Sequence, residues 1–513
     1  MSKIFKIQTF ILKHLGTLLF AVFLLLGTYN LFQFGIAWDE DAQIRIGEVS
    51  YNYVFLNDKG IQDFFGKDYG VVIELPLVII DRLFDFENSR EKFLLRHFLT
   101  HLFFLITALY CYKLILKLYK NKGLALCGFL LLMLNPRMYE ESFVNTKDIP
   151  FMGMFFVCFY YMVNALESDQ IKRTVYFGIS LGLLIALRIM GVMLLAVSIG
   201  FITMDIIIHK RIKINMLKIL ALVGLVICTT FVAWPYLWMN PVENFVKAFT
   251  NMSKFRWIGN NLLDGVQIPS NELPWTYIPK WFVITVPLLY LVLGAIGIVL
   301  IMVTAIIHPI KTLKEPLIRN NFIFLACFFL PLIAVVYFHS VLYDTWRHVY
   351  FIYAPFIMLF IYALNTLINS KFGKTIWVIV VVFFIYITMR MVQLHPFENV
   401  YFNALVRKKE KNYIRKNYEM DYWGLSYLQS LQYLLRYDKS ELLFIAYEND
   451  PCAFNTNLLT QNEKQRIRLV KKEEAKYFIT NFRGHPEDYQ AYTLIHEVVA
   501  DNNTINAIYQ LHP

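Results

Sequence analysis

Apolar runs of about 18 to 25 residues recur along this chain, and that is the length an α-helix needs to cross a bilayer. Eleven can be read, near 11–32, 94–116, 123–135, 150–166, 174–188, 190–208, 216–234, 281–307, 320–338, 348–368 and 373–394. Charged residues make up only 17% of the 513 residues, where a soluble protein carries about a quarter. The expected fold is an α-helical polytopic membrane protein. The third run is short, and the fifth and sixth are parted only by Arg188-Ile189-Met190-Gly191. The first follows Lys3, Lys6 and Lys13; no small-residue cleavage site comes after it, so it reads as an uncleaved helix.

Orientation follows from lysine and arginine in the short loops. With the N-terminus inside, the inner loops hold Lys117/Lys120/Lys122, Lys172/Arg173, Lys210/Arg211/Lys213, Lys311/Lys314/Arg319 and Lys371/Lys374, every one basic. Inner-face anchoring then accounts for most of the net charge of +11, and no nucleic-acid partner is implied. Five of the six cysteines fall in apolar runs and Cys452 in the tail, which gives no disulfide framework and no CxxC metal site. An odd number of crossings places the polar stretch 395–513 outside. It carries a basic run from Arg407 to Lys416, a helical pattern over 425–437 and strand-like runs near 441–447, 466–470, 475–481 and 491–499. The chain therefore divides into a transmembrane unit, 1–394, and a small extracytoplasmic α/β domain, 395–513.

The polar clusters that remain all fall on the outer side. Trp38-Asp39-Glu40-Asp41 opens a long first loop, 33–93, in which 42–55 and 71–84 read as interfacial helices, the second interrupted at Pro76. Ionised carboxylates near hydrocarbon usually face a polar cavity and often mark function. Asn145-Thr146-Lys147-Asp148-Ile149-Pro150 starts a helix, with Pro150 in its first turn. Asp148 suits a cap or dipole partner there. Lys147 is a cation at the positive end of a helix, a placement that makes sense if an anion binds beside it. The aromatic loop after Trp234, with Lys254, Arg256 and Trp257, suits a lid. Tyr343-Asp344-Thr345-Trp346-Arg347-His348 packs three ionisable groups at another helix start. Asp344 could pair with Arg347, or the guanidinium could meet a phosphate.

A carboxylate base, several cations and an amphiphilic surround suit group transfer from a lipid phosphate. Asp39-Glu40 at the head of a long outer loop resembles the signature of the C superfamily of membrane glycosyltransferases. The segments 145–150 and 343–348 are similar to motifs of its protein O-mannosyltransferase and aminoarabinose-transferase branch (glycosyltransferase family 39-like). So are Phe397-Glu398-Asn399-Val400-Tyr401-Phe402-Asn403 and Asp421-Tyr422-Trp423-Gly424-Leu425-Ser426-Tyr427.

The resemblance implies a polyprenyl-phosphate-linked sugar donor and inverting transfer to an acceptor hydroxyl of a protein, lipid or polysaccharide at the outer face of the cell (inner, plasma) membrane. It casts Asp39 as base, Glu40 as its assistant, and Lys147, Arg188, Arg347 and His348 as the donor-phosphate site. A divalent metal, as some superfamily members hold, would take Asp148 with Asp39, but no decisive ligand set is present. Asp41 departs from the pattern as an extra carboxylate. The rival reading is a multispan transporter or lipid-linked-sugar flippase, favoured by Arg188 beside Gly191 as a helix break. Transporters, however, usually place polar groups at mid-span and repeat their halves, and neither is seen here.

Overall fold

The computed structural model describes residues 3–253, 257–408 and 410–511. The chain opens with α1 (Lys3–Asn30), α2 (Trp38–Leu56) and α3 (Glu74–Phe84). A series of packed helices follows: α4 (Ser89–Tyr119), α5 (Lys122–Met133), α6 (Pro136–Val144), α7 (Asp148–Leu166), α8 (Ile171–Leu187), α9 (Val192–His209) and α10 (Ile212–Ala233). Next come α11 (Pro241–Ser253) and a hairpin of β1 (Asn260–Leu263) and β2 (Val266–Pro269). Then come α12 (Tyr277–Thr285), α13 (Leu288–Ile307), α14 (Pro309–Lys314), α15 (Pro316–Tyr337), α16 (Tyr353–Ile368) and α17 (Gly373–Leu394).

All eleven expected runs fall on helices. Among the described residues, eight stretches are long and apolar enough to cross a membrane: Ser89–Tyr119, Asp148–Leu166, Ile189–His209, Ile212–Ala233, Leu288–Ile307, Pro316–Tyr337, Arg347–Ile368 and Gly373–Leu394. His14–Asn30 and Lys122–Met133 are shorter apolar helices. The protein is a polytopic membrane protein.

Burial ranks these helices. The apolar windows of Asp148–Leu166 and Arg347–Ile368 are 78% and 72% buried, whereas those of Ile212–Ala233 and Gly373–Leu394 are 22% buried and present most of their surface outward. The two most central helices thus begin at Asp148 and Arg347. Close approach in this centre needs small residues: a Cβ on Gly297 of α13 would lie 2.0 Å from the Leu359 carbonyl oxygen of α16.

Three expectations need correction. The run at 281–307 is two helices, because Pro287 has no N–H to continue α12. Asn403 supports the break, donating its side-chain amide to the Val283 and Val286 carbonyls at 2.6 and 2.8 Å. Pro76 interrupts nothing, since α3 starts at Glu74 and the missing N–H falls in its first turn. The helix read over 42–55 starts at Trp38, so the acidic triplet occupies its first turn, where the helix dipole favours negative charge.

In the tail, α18 (Tyr413–Asn417) and α19 (Tyr427–Tyr437) precede a five-stranded sheet. Its strands are β3 (Leu443–Tyr447), β4 (Ile467–Leu469), β5 (Tyr477–Thr480), β6 (Thr493–Ala500) and β7 (Asn503–Gln510), in the order β4-β3-β5-β7-β6. The pairs β3–β4 and β3–β5 are parallel; β7 runs antiparallel to β5 and β6. The sequence signals four of these strands and hides β7, because Asn503, Thr504 and Asn506 are buried within it and blur its alternation. The tail also holds the first loop: the Asn455 side chain accepts from Ile36 N–H at 2.8 Å and donates to the Ile36 carbonyl at 3.0 Å. The Trp38 N–H donates to the Trp423 carbonyl at 3.0 Å.

Candidate active site

Helix ends assemble the site. The antiparallel neighbours α7 and α8 bring Lys147 and Asp148 at the start of one to Arg188 at the end of the other. Arg347 opens the second central helix, and Asp39 sits in the first turn of α2. Asp39 Oδ2 accepts from Lys147 Nζ at 2.5 Å and from Arg347 Nη1 at 2.6 Å. The same Arg347 nitrogen lies 3.8 Å from Asp148 Oδ2, and Asp148 pairs through its other oxygen with Arg188. Asp39, Lys147, Asp148, Arg188 and Arg347 therefore form one ionic row.

The cation at the head of α7 is answered by a carboxylate of α2. The capping role falls to Asn145, whose side-chain oxygen accepts from Asp148 N–H at 2.8 Å. Asp148 is thereby left to hold Arg188. Burial pushes the Asp39 carboxyl up, but the charges of Lys147 and Arg347 outweigh it and hold the group well below the usual carboxylate range. Asp39 keeps 26% of its side chain exposed, whereas Arg347 and Asp148 keep 1% each, so Asp39 is the member of the row most open to a reactant.

Glu40 does not join this row. Its side chain is buried, accepts from Ala37 N–H at 2.7 Å and lies 3.0 Å from His97 Nε2, which pins the start of α2. Asp41 forms an (i, i+4) pair with Arg45 at 2.9 Å on the outer surface of α2, so the extra carboxylate lies off the site. His348 is half-buried beside Tyr343, with ring centroids 4.4 Å apart. It shares a cavity with Arg188 and Tyr69, and its Nδ1 has no hydrogen-bond partner among the described residues. Lys254 and Arg256 lie outside the described residues, as does Lys409 of the basic run. Trp257 stacks on Tyr343 at 4.4 Å.

The donor set does not fit a divalent ion at Asp39 and Asp148. Both carboxylates are engaged by the protein's own cations, and no cluster of three His, Cys, Asp or Glu side chains forms among the described residues.

The Asp344–Arg347 pair open to the sequence forms, and Arg483 and Glu419, which the sequence did not signal, join it. Asp344 Oδ2 accepts from Arg347 Nη2 at 2.8 Å, and Asp344 Oδ1 accepts from Arg483 Nη2 at 2.6 Å, 139 residues further on. The Arg347 guanidinium lies between the rings of Tyr343 and Trp423, 4.8 and 4.7 Å from their centroids. Beneath the row, Asn145 links Asp148 to Glu141, which accepts from the hydroxyls of Tyr350 at 2.6 Å and Tyr422 at 3.0 Å. Glu419 faces Asp344 and Arg483; burial, then the Asp344 charge, push its carboxyl up to about 8. In the ionic row three cations (Lys147, Arg188, Arg347) face two carboxylates (Asp39, Asp148), a surplus of one positive charge.

The cavity at Arg188 and His348 adjoins a larger apolar groove, with Val335, Ser340 and Leu342 lining both. The groove encloses about 760 Å³ between α12 and α15, lined by Leu273, Trp275, Phe329, Leu332 and Ile333 among others.

The fold has solved counterparts. An oligosaccharyltransferase from Archaeoglobus fulgidus, tethered to an acceptor peptide, matches 91% of this chain and 65% of its own at 9% identity, with a TM-score of 0.51. ArnT from Cupriavidus metallidurans, bound to undecaprenyl phosphate, matches 97% of this chain and 98% of its own at 10% identity, with a TM-score of 0.47. No sequence match was found among curated proteins. The likeness to the oligosaccharyltransferase shows a shared membrane fold. Over part of the chain, residues 88–234, the sequence matches the family model of dolichyl-phosphate-mannose-protein mannosyltransferases, the branch that the sequence motifs resemble.

Proposed function

We propose that the protein transfers a sugar from a polyprenyl-phosphate donor to an acceptor hydroxyl, with inversion, at the outer end of its helices and with Asp39 as base. The observation that carries this reading is the ionic row itself: one partly exposed carboxylate held by two cations, with a third cation beyond it and a net positive surplus. The apolar groove between α12 and α15 suits the isoprenoid tail, and the adjoining cavity at Arg188 and His348 suits the phosphate. Asp39 then stands further along the row from Arg188, between Lys147 and Arg347.

The acceptor O–H gives its proton to the Asp39 carboxylate as its oxygen attacks the anomeric carbon. The bond from that carbon to the phosphate oxygen breaks, and its electron pair leaves on the polyprenyl phosphate. Negative charge grows on that phosphate in the transition state, where Arg188, Arg347 and Lys147 stabilise it more than in the ground state. Proton removal by a placed base typically adds about a hundredfold to ten-thousandfold. With no donor bound, Lys147 and Arg347 keep Asp39 a weak base. An arriving phosphate competes for both cations, and the proton affinity of Asp39 rises as they turn to it.

Glu40 acts at one remove, by fixing the helix start that presents Asp39. The basic turns at the other helix ends favour an N-terminus in the cytoplasm and a tail, 395–513, outside. The test is to supply membranes containing the protein with a polyprenyl-phosphate sugar labelled in the sugar. Release of polyprenyl phosphate with label passing to an acceptor in inverted configuration is expected; retained configuration, or no release, would overturn the reading.

A further inference from the structure

Arg483 stands on a loop shaped to project it. Phe482 before it and Gly484 after it both have left-handed backbone, φ 59° and 85°. For a bulky residue such as Phe482 that conformation is uncommon, and strain of this kind gathers at functional sites. The loop is held in place by the Phe482 N–H donating to Thr480 Oγ1 at 2.9 Å and by the Arg415 guanidinium 4.0 Å from the Phe482 ring centroid. Arg483 reaches back to the head of the central helix, donating from Nη1 to the Tyr422 carbonyl at 2.9 Å and from Nη2 to Asp344 Oδ1 at 2.6 Å. Its guanidinium also lies 4.6 Å from the ring centroid of Trp38, the residue before Asp39. Its partner is strained too: Asp344 and Thr345 are consecutive non-glycine residues at φ 52° and 70°.

Building on the transfer reading above, we propose that Arg483 of the C-terminal α/β unit is a positioning residue for the reaction, acting on Arg347 through Asp344. Each oxygen of Asp344 serves one arginine. With Arg483 on Oδ1, only Oδ2 is open to Arg347, so Arg347 gives Asp344 a single N–H and turns the other toward Asp39. A carboxylate with both oxygens free prefers a two-pronged grip on a guanidinium. Without Arg483, Asp344 is free to close a two-pronged grip on Arg347 Nη2 and Nε, whose N–H has no partner among the described residues, and this turns the guanidinium relative to Asp39. The tail thus completes the site from outside, and neither half of the chain holds the full set of contacts.

The experiment is a double-mutant cycle on the full-length protein in its membranes, reading label transfer from a polyprenyl-phosphate sugar. Arg483→Met is expected to lower kcat about tenfold or more with donor KM within about twofold, since misplacement of a positioned group costs up to about a hundredfold. Arg483→Lys should recover part of the loss, because it still offers Asp344 Oδ1 a charged donor. In an Asp344→Asn background, Arg483→Met should add little, as expected for two residues acting through one another. An equal loss in both backgrounds, or unchanged kcat in Arg483→Met, overturns the proposal. Binding of undecaprenyl phosphate checks folding: a variant that loses binding along with turnover, without rescue by lysine, marks Arg483 as merely structural and also overturns it. Retained transfer in Asp39→Asn would instead count against the base reading, so the two failures are told apart.

Discussion

Asp39 and Arg347, 308 residues apart in the chain, meet at 2.6 Å. The contact joins the first turn of α2 to the head of a central helix, and Lys147 closes on the same carboxylate oxygen at 2.5 Å. One oxygen therefore holds two cations, each of which could serve a phosphate equally well. In the proposed reaction this arrangement would mask the base at rest and put the charge of the phosphate site in place beforehand.

Arg347 uses two nitrogens on two carboxylates while its flat face lies between Tyr343 and Trp423. A lysine ammonium cannot reproduce that fork. Arg347→Lys is expected to lower transfer about a hundredfold or more, close to the loss in Arg347→Ala, by analogy with removal of a donor that stabilises developing charge. Steady-state transfer rates on both variants check this.

Arg188 lines the cavity that adjoins the apolar groove and is held by Asp148. Arg188→Ala should weaken binding of undecaprenyl phosphate about tenfold, as loss of a charge-assisted contact of roughly 1.5 kcal/mol implies. Substitution of Asp41, on the outer surface of α2, should leave it unchanged. Equilibrium binding in detergent or nanodiscs distinguishes them.

The Glu419 carboxyl is pushed up to about 8, so the folded protein binds this proton more tightly than the unfolded chain. Its stabilising effect is fully present below the ordinary glutamate range, falls as pH rises, and is gone above about 8. Wild-type protein should lose thermal stability between pH 5 and 9 more steeply than Glu419→Gln. Melting curves across that range, read by tryptophan fluorescence, check the slope.

Asp39 and Asp148 already have protein cations as partners, so transfer is expected to survive chelation. Incubation with excess EDTA followed by removal of the chelator should change the rate by less than about twofold. Loss of activity restored by a divalent ion would contradict this donor-set argument.

Much of this was legible in the sequence because the bilayer imposes a length on each crossing, so that polar clusters stand out at the helix ends. Asp39, Lys147, Asp148, Arg188 and Arg347 could be named because each sits where an apolar run meets a polar turn. The resemblance casts Glu40 as assistant to Asp39, yet successive residues of a helix diverge by about 100°, and that angle sends one carboxylate to Lys147 and the other to His97. Arg483 and Glu419 carried no such mark, since they lie among many charged tail residues and owe their role to a loop returning across the fold. The strand β7 was hidden for a related reason: its buried asparagines hydrogen-bond within the tail, as Asn506 does with Ser426 and Ser430.

The most direct test of the account is Asp39→Asn, which keeps the shape of the side chain and removes its charge. Sugar transfer should fall by about a hundredfold or more while undecaprenyl phosphate still binds, at equal or higher affinity because Lys147 and Arg347 are released to it. Transfer at the wild-type rate would contradict the account at its centre, since the carboxylate on which the row converges would then take no part in the chemistry.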